Sequence, residues 1–221
     1  MKIRASRSWS DQEQFWAGKF GEEYIDRNQS NQLLGSNIHF FAKALEGIPK
    51  PVSCLEFGAN IGMNLKALSL LFPEMNLAAI EINLRAVQML SNSLPNSRVF
   101  EGSLLDFQPK EEWDLCVVKG VLIHIAPADL PEAYEILAKA SGSYLLISEY
   151  YSPYPVEVNY RGHSDKLFKR DFVGEFLMLH PDFRLVNYGF GYHGDVAFPE
   201  DDLNWFLLKR ESKNDSNKGS Q

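Results

Sequence analysis

Val52-Ser-Cys-Leu-Glu-Phe-Gly-Ala-Asn-Ile-Gly-Met-Asn-Leu65 runs an apolar strand through Glu56 into Gly58 and Gly62 and straight on into a helix. Two glycines at such a turn let backbone approach a ligand where a Cβ would collide, and the unpaired N–H groups of the helix that follows face the same place. A second acid, Glu81, closes the apolar strand Leu77-Ala-Ala-Ile-Glu81, twenty-five positions after Glu56. In an open α/β sheet that spacing sets a carboxylate beside the first turn, able to accept hydrogen bonds from both hydroxyls of a ribose. An adenosine derivative is the expected ligand.

The glycine pattern narrows the choice. A dinucleotide site usually carries three glycines, G-x-G-x-x-G, so that a pyrophosphate can lie on the helix N-terminus. Here the run is Glu56-x-Gly58-x-x-x-Gly62, with an acid inside the turn. A carboxylate there repels a pyrophosphate and suits a sulfonium with an α-amino group, so S-adenosylmethionine fits better than NAD. The competing readings are an NAD-linked oxidoreductase, a non-catalytic S-adenosylmethionine-binding partner protein, and a plain βα turn with no ligand.

Working outward, the elements alternate. Ser10 to Asn28 reads as a helix with Trp16, Phe20 and Tyr24 on one face, and Asn37 to Leu45 as another. The core follows as strand 52–57, helix 62–72, strand 77–81, helix 83–93, strand 98–101, strand 113–119, helix 127–140 and strand 144–148. Lys169 to Leu179 then reads as a helix, and 183–188 and 203–209 as two closing strands. Buried strands alternating with amphipathic helices predict a parallel, doubly wound α/β sheet. Two closing strands with no helix between them add an antiparallel hairpin at one edge. The expected whole is a Rossmann-like, seven-stranded mixed sheet of the class I methyltransferase arrangement. Residues 1–47 form its N-terminal helical lid, 48–211 the main domain, and 212–221 a polar, disordered tail.

Composition bounds the rest. A chain of 221 residues with 45% hydrophobic content can bury one good core. No apolar run approaches bilayer length, and Met1-Lys-Ile-Arg-Ala-Ser-Arg-Ser leads into polar sequence, so a cytoplasmic protein without membrane contact is expected. Cys54 and Cys116 each lie in an apolar strand, which predicts small core residues and no metal cluster. A formal charge of −7 without a basic cluster argues against nucleic acid and for a small-molecule partner, with the protein acting as a monomer or homodimer.

Several stretches carry a family resemblance: Phe15-Trp-Ala-Gly-Lys-Phe-Gly-Glu-Glu-Tyr-Ile-Asp-Arg-Asn28, Glu56-Phe-Gly-Ala-Asn-Ile-Gly-Met-Asn-Leu-Lys-Ala67, Lys119-Gly-Val-Leu-Ile-His-Ile-Ala-Pro127, Glu149-Tyr-Tyr-Ser-Pro-Tyr-Pro-Val-Glu-Val-Asn-Tyr-Arg-Gly-His-Ser164 and Asp201-Asp-Leu-Asn-Trp-Phe-Leu-Leu208. With them the chain resembles the S-adenosylmethionine-dependent pseudaminic acid biosynthesis-associated methylases, over roughly residues 12 to 210. The resemblance implies methyl transfer to a small polar metabolite, such as a nonulosonic acid sugar or a guanidine or amine natural-product intermediate.

Strand ends name the candidate residues, since ligands in this fold lie outside the carboxyl ends of the strands. Glu56, Gly58, Asn60, Gly62, Asn64, Glu81, Ser103, Leu104 and Lys119 are expected at the cofactor, with Asp106 either near the adenine amino group or capping a turn. Tyr24 and Arg27, from the lid, are expected at the sulfonium and the methionine carboxylate. A hydroxyl acceptor needs a base, for which His124 is the candidate and His163 the next. An amine or guanidine acceptor needs a carboxylate and aromatic faces, which Glu149, Tyr150, Tyr151, Tyr154 and Tyr160 supply. Trp16, Tyr150, Tyr151, Tyr160, Arg161 and His163 complete the expected acceptor site, Arg161 as a fork for a substrate carboxylate. The plainer readings are a core histidine, a tyrosine-rich cover over the sheet and a surface ion pair for Arg161.

Overall fold

The computed structural model of the chain describes residues 1–3, 7–26 and 30–211. The expectations for Arg27-Asn28 and for the tail from Ser212 fall outside that range.

Five strands form the parallel core: β1 (Ser53–Phe57), β2 (Asn76–Glu81), β3 (Arg98–Glu101), β4 (Trp113–Lys119) and β5 (Ser141–Glu149). β1 pairs in parallel with both β2 and β4, so Glu56 stands level with Ala79 on one side and Val117 on the other. Two short strands, β6 (Val156–Glu157) and β7 (Phe168–Lys169), form a separate antiparallel ribbon. The closing hairpin is β8 (Phe183–Phe190) with β9 (Asn204–Arg210), and β9 runs antiparallel to β5. The main sheet therefore reads β3-β2-β1-β4-β5-β9-β8, the seven-stranded mixed sheet expected from the alternation of elements. Strand order reverses between β1 and β4, and the crevice beyond their carboxyl ends is where such a sheet holds a ligand.

Helices α3 (Asn31–Ala44), α4 (Met63–Leu71), α5 (Leu84–Ser93), α6 (Leu130–Ala140) and α7 (Phe172–Leu179) cover the two faces. One apolar cluster joins Leu55, Phe57, Cys116 and Val118 to Tyr134, Leu137 and Phe176; the other joins Cys54, Leu115 and Val117 to Phe40, Phe41, Leu65 and Leu68. Both cysteines are fully buried strand residues, as their apolar surroundings predict.

Local chemistry moves several boundaries. The expected helix over 10–28 is two helices, α1 (Asp11–Ala17) and α2 (Lys19–Ile25), because Gly18 takes an extended backbone that ends one and starts the other. A Cβ on Gly21 would run into the carbonyl of Trp16, so only glycine lets α2 fold back this tightly on α1. α3 starts six residues earlier than expected, where Ser30 Oγ accepts the Leu33 N–H and satisfies an orphan donor of its first turn. Near residue 169 the chain is still a strand, and the helix waits for the Asp171 cap, whose carboxylate accepts from Gly174 N.

Candidate active site

The first turn is built on strained backbone. Gly58 (φ 69°), Asn60 (φ 50°) and Gly62 (φ 82°) all occupy the left-handed region. Gly58 N and Ala59 N both donate to Ile80 O, at 2.8 and 3.1 Å, which ties the turn to β2. Asn60 N then donates to Glu81 Oε2 and Asn83 N to Glu81 Oε1, each at 2.7 Å. Burial pushes the Glu81 carboxyl up, and these backbone donors oppose the rise. Glu56 is buried within β1 and accepts from Asn64 Nδ2 at 2.6 Å. Its carboxyl is pushed up to about 8, first by burial, against the pull of the Asn64 amide and the Lys119 charge.

Beyond these strand ends lies a cavity of about 230 Å³. Tyr24, Gly58, Asn60, Asn64, Glu81, Ser103, Leu104, Lys119, Trp16 and His124 all line it. Glu56 and Gly62 do not. Glu56 reaches the cavity through Asn64, and Gly62 is the N-cap of α4, where an added Cβ would meet Leu90. Among the described residues, Glu56 Oε2, Asn60 Oδ1, Asn64 Oδ1 and Trp16 Nε1 are buried with no hydrogen-bond partner. Four orphaned polar atoms in and around one cavity mark a place built for a polar guest, since buried polar groups otherwise find partners.

The amino-terminal helices cover the cavity and are tied down on both sides. Glu13 takes a two-pronged contact from Arg7, both bonds at 2.8 Å, and accepts from Ser10 N and the Ser103 hydroxyl. Burial works against the Glu13 carboxylate, yet the Arg7 and Ser103 bonds outweigh it and hold its pKa below the ordinary range. Asn83 Nδ2 reaches Trp16 O at 3.2 Å, and Arg85 reaches Asp26 at 2.6 Å. Glu13 and Asn83 are cavity residues that reading by strand ends passes over. The signal was present, since Ser10-x-x-Glu13 is a capping box and Asn83 caps α5. Asp106 receives Trp9 Nε1 at 2.9 Å rather than lining the cavity.

The expected acceptor residues divide. Glu149 is buried, and its carboxylate accepts from Val121 N and Leu122 N at 2.9 Å and from Ile123 N at 3.4 Å, so it caps the 3-10 turn Leu122–His124 instead of facing the cavity. Burial pushes its carboxyl up to about 7 against those three amides. Tyr150 lies under Lys169 Nζ, 4.7 Å from the ring centroid, and Tyr151 packs at 6.3 Å on Phe206; neither lines the cavity. Tyr154 is exposed. Arg161 sits at the tip of a tight turn closed by Tyr160 and His163, exposed, its guanidinium 5.7 Å from the Tyr160 ring. His163 packs on Phe15 at 5.0 Å, outside the cavity lining. Tyr160 joins an aromatic wall, 5.1 Å from His124 and 6.4 Å from Trp16, while Trp16 stands 4.5 Å from His124 and 5.3 Å from Tyr24. That wall assembles α1, α2, the turn after β4 and the ribbon connection.

No protein-family model matches the chain, nor does any curated protein. Solved structures do. The plantazolicin methyltransferase BpumL, in complex with a pentazolic desmethylPZN analog and SAH, superposes with a TM-score of 0.63 at 13% identity, over 90% of this chain and 95% of its own. Magnesium protoporphyrin IX methyltransferase (ChlM) from Synechocystis PCC 6803, with bound SAM, gives 0.61 at 14% identity, over 93% and 100%. The mitomycin 7-O-methyltransferase MmcR gives 0.65 at 14%, over 91% of this chain and 61% of its own. The fold is that of the class I methyltransferases. At these identities the likeness is one of architecture, and in a class I methyltransferase fold the cavity found here occupies the sheet's switch point.

Proposed function

We propose that this chain is an S-adenosylmethionine-dependent methyltransferase acting on a nitrogen or oxygen of a small polar metabolite, working in the cytoplasm as a monomer or homodimer. The observation that carries the reading is the set of orphaned polar atoms of Glu56, Asn60 and Asn64 at a strained turn that opens into a cavity. Glu56, buried behind Asn64, would disfavour a pyrophosphate there and favour an ammonium and a sulfonium. In this reading Glu81 takes the ribose hydroxyls, Asn60 and Asn64 the methionine portion, and Ser103 and Leu104 the adenine, a division supported by their shared position around the cavity. S-adenosylmethionine supplies, when bound, a methyl carbon activated by a positively charged sulfur. The residues here then have to align the acceptor, keep water out and take up a proton. α1 and α2 act as the lid that closes over both partners. A nonulosonic acid sugar or a guanidine or amine intermediate is the acceptor class to which the family resemblance points.

Calorimetric titration with S-adenosylhomocysteine and with NAD tests the reading. Binding of the first and not the second is expected; the reverse would reassign the chain to nicotinamide chemistry. Turnover of a candidate acceptor separates an enzyme from a silent binding protein.

Cofactor affinity should also depend on pH. A cation settling beside Glu56 favours its carboxylate, so binding of S-adenosylmethionine is expected to release a proton below about pH 8. Affinity then rises with pH by up to about tenfold per unit and levels off above the Glu56 pKa. For folding the sign is opposite. The native state keeps a proton that the unfolded chain loses near 4.5, so the stability Glu56 contributes falls as pH rises from 4.5 through about 8. Titrations in buffers of different ionisation heat count the released proton, and Glu56→Gln should abolish its release. No proton release by the wild type at neutral pH would separate Glu56 from the bound cation.

A further inference from the structure

The geometry points to an acceptor that presents a neutral hydroxyl to the aromatic wall, with His124 Nε2 taking its proton and the Trp16 indole N–H holding its oxygen. This rests on the methyl-transfer reading above and narrows the acceptor from nitrogen or oxygen to oxygen.

The tautomer of His124 is fixed by its partner. Its Nδ1 lies 2.6 Å from Lys166 O. A carbonyl oxygen can only accept, so Nδ1 bears the hydrogen and Nε2 keeps a lone pair. No described residue takes that lone pair, and the ring lines the cavity. Beside it, 4.5 Å between ring centroids, stands Trp16, whose buried Nε1–H has no partner among the described residues. The two rings are neighbours, and an orphaned donor on one with an open acceptor on the other suits a hydroxyl, which accepts through oxygen and donates through hydrogen. Burial lowers the His124 pKa to about 4, against the Lys166 carbonyl, so the ring is neutral at physiological pH and its lone pair is available.

The carboxylates around the cavity argue against a cationic acceptor at this wall. Glu149 is used up by three backbone amides. Glu13 is engaged by Arg7 and Ser103, and Glu81 by the amides of Asn60 and Asn83. Asp201 lies at the exposed rim. Among the described residues the wall itself consists of Trp16, His124 and Tyr160 and contains no carboxylate to neutralise an ammonium or a guanidinium.

The step balances. The hydroxyl oxygen forms a bond to the methyl carbon, the carbon–sulfur bond breaks with its electron pair going to the cationic sulfur, and the hydroxyl proton passes to His124 Nε2. Solvent then recovers the proton from the imidazolium, whose low pKa favours its departure.

Nitrogen NMR of histidine-labelled full-length protein reads the tautomer without any acceptor. An unprotonated Nε2 with a protonated Nδ1 on His124 at neutral pH is expected, and a protonated Nε2 would overturn the proposal. Carbon-13 methyl-labelled donor is then incubated with a low-molecular-weight extract of the source cells, and the transferred methyl is classed as O-methyl or N-methyl by its carbon shift. An O-methyl product is expected, formed at least about 100-fold more slowly by His124→Asn and about tenfold less efficiently by Trp16→Phe. An N-methyl product, or equal rates in wild type and His124→Asn, would overturn it. Adenosylhomocysteine titration of each protein isolates the earlier reading: wild type that fails to bind it condemns the cofactor assignment, whereas binding retained by His124→Asn shows that the variant is folded.

Discussion

Gly58→Val is expected to weaken binding of S-adenosylmethionine and S-adenosylhomocysteine by at least about 100-fold, equivalent to roughly 3 kcal/mol. Two costs coincide at this residue. Its φ of 69° lies in the left-handed region, which a β-branched side chain occupies at a cost of about 1–3 kcal/mol. A Cβ built there would also stand 2.5 Å from Val121 Cγ2 and 3.3 Å from Cγ1, inside van der Waals contact. Relief requires either the turn or the Val121 loop to move, and both line the cavity. If the turn moves, Asn60 N leaves Glu81 and the proposed ribose contact goes with it. Gly62→Ala is the contrast. Its φ of 82° is left-handed too, but its Cβ would meet Leu90 Cγ at 2.9 Å, a buried core side chain rather than a cavity wall, so stability should fall with cofactor affinity nearly kept. Calorimetric titration of both variants, with far-UV dichroism to establish folding, checks the pair. A Gly58→Val protein that binds like wild type would remove this turn from the cofactor site.

The contrast between those glycines also separates what sequence reveals from what it hides. Strand, turn, acid and helix around Glu56 are contiguous, so the chain order itself puts Gly58, Asn60 and Glu81 at neighbouring strand ends once the sheet is parallel. Ser103, Leu104 and Lys119 follow by the same topology. Legibility stops where a residue's place depends on how a long connection folds. The ribbon of β6 and β7 has two residues per strand, too short for alternation to register, and it decides that Tyr160 meets His124 while Tyr151 turns to Phe206. Gly18 carries the break between α1 and α2 inside an otherwise continuous apolar face, so the spacing of Trp16, Phe20 and Tyr24 reads as one helix. Glu149 shows a limit of a different kind. A carboxylate among tyrosines has the composition of a cation site, but three consecutive backbone N–H groups of the adjoining turn donate to it.

Those three bonds make the turn that carries His124 sensitive to substitution of Glu149. In Glu149→Ala, the amides of Val121, Leu122 and Ile123 lose their acceptor inside the protein, and each orphaned buried donor costs about 1–3 kcal/mol. The substitution also removes the expense of burying the carboxylate, so the net loss is expected near 3 kcal/mol rather than the full sum. For a chain of 221 residues that lowers Tm by roughly 6–12 °C. Glu149→Gln should fall between the two. One amide oxygen can still serve Val121 N and Leu122 N, which share Oε1, but the side-chain NH2 then faces the Ile123 N–H, donor against donor. The wild-type advantage over Gln depends on pH with a definite sign. The Glu149 carboxyl titrates at about 7 in the native state and near 4.5 when unfolded, so its contribution is greatest below 4.5 and declines as pH rises through about 7. Gln has no such term, and the gap between the two should therefore narrow over that interval. Because the capped turn carries His124, Glu149→Ala should also disturb the His124 bond to Lys166 O, and the histidine nitrogen signals should report both tautomers or a shifted pKa. Calorimetric unfolding across that pH range, together with the same nitrogen spectra, measures both effects. An alanine variant as stable as wild type, with His124 unperturbed, would mean that water replaces the carboxylate and that the turn holds its shape without it.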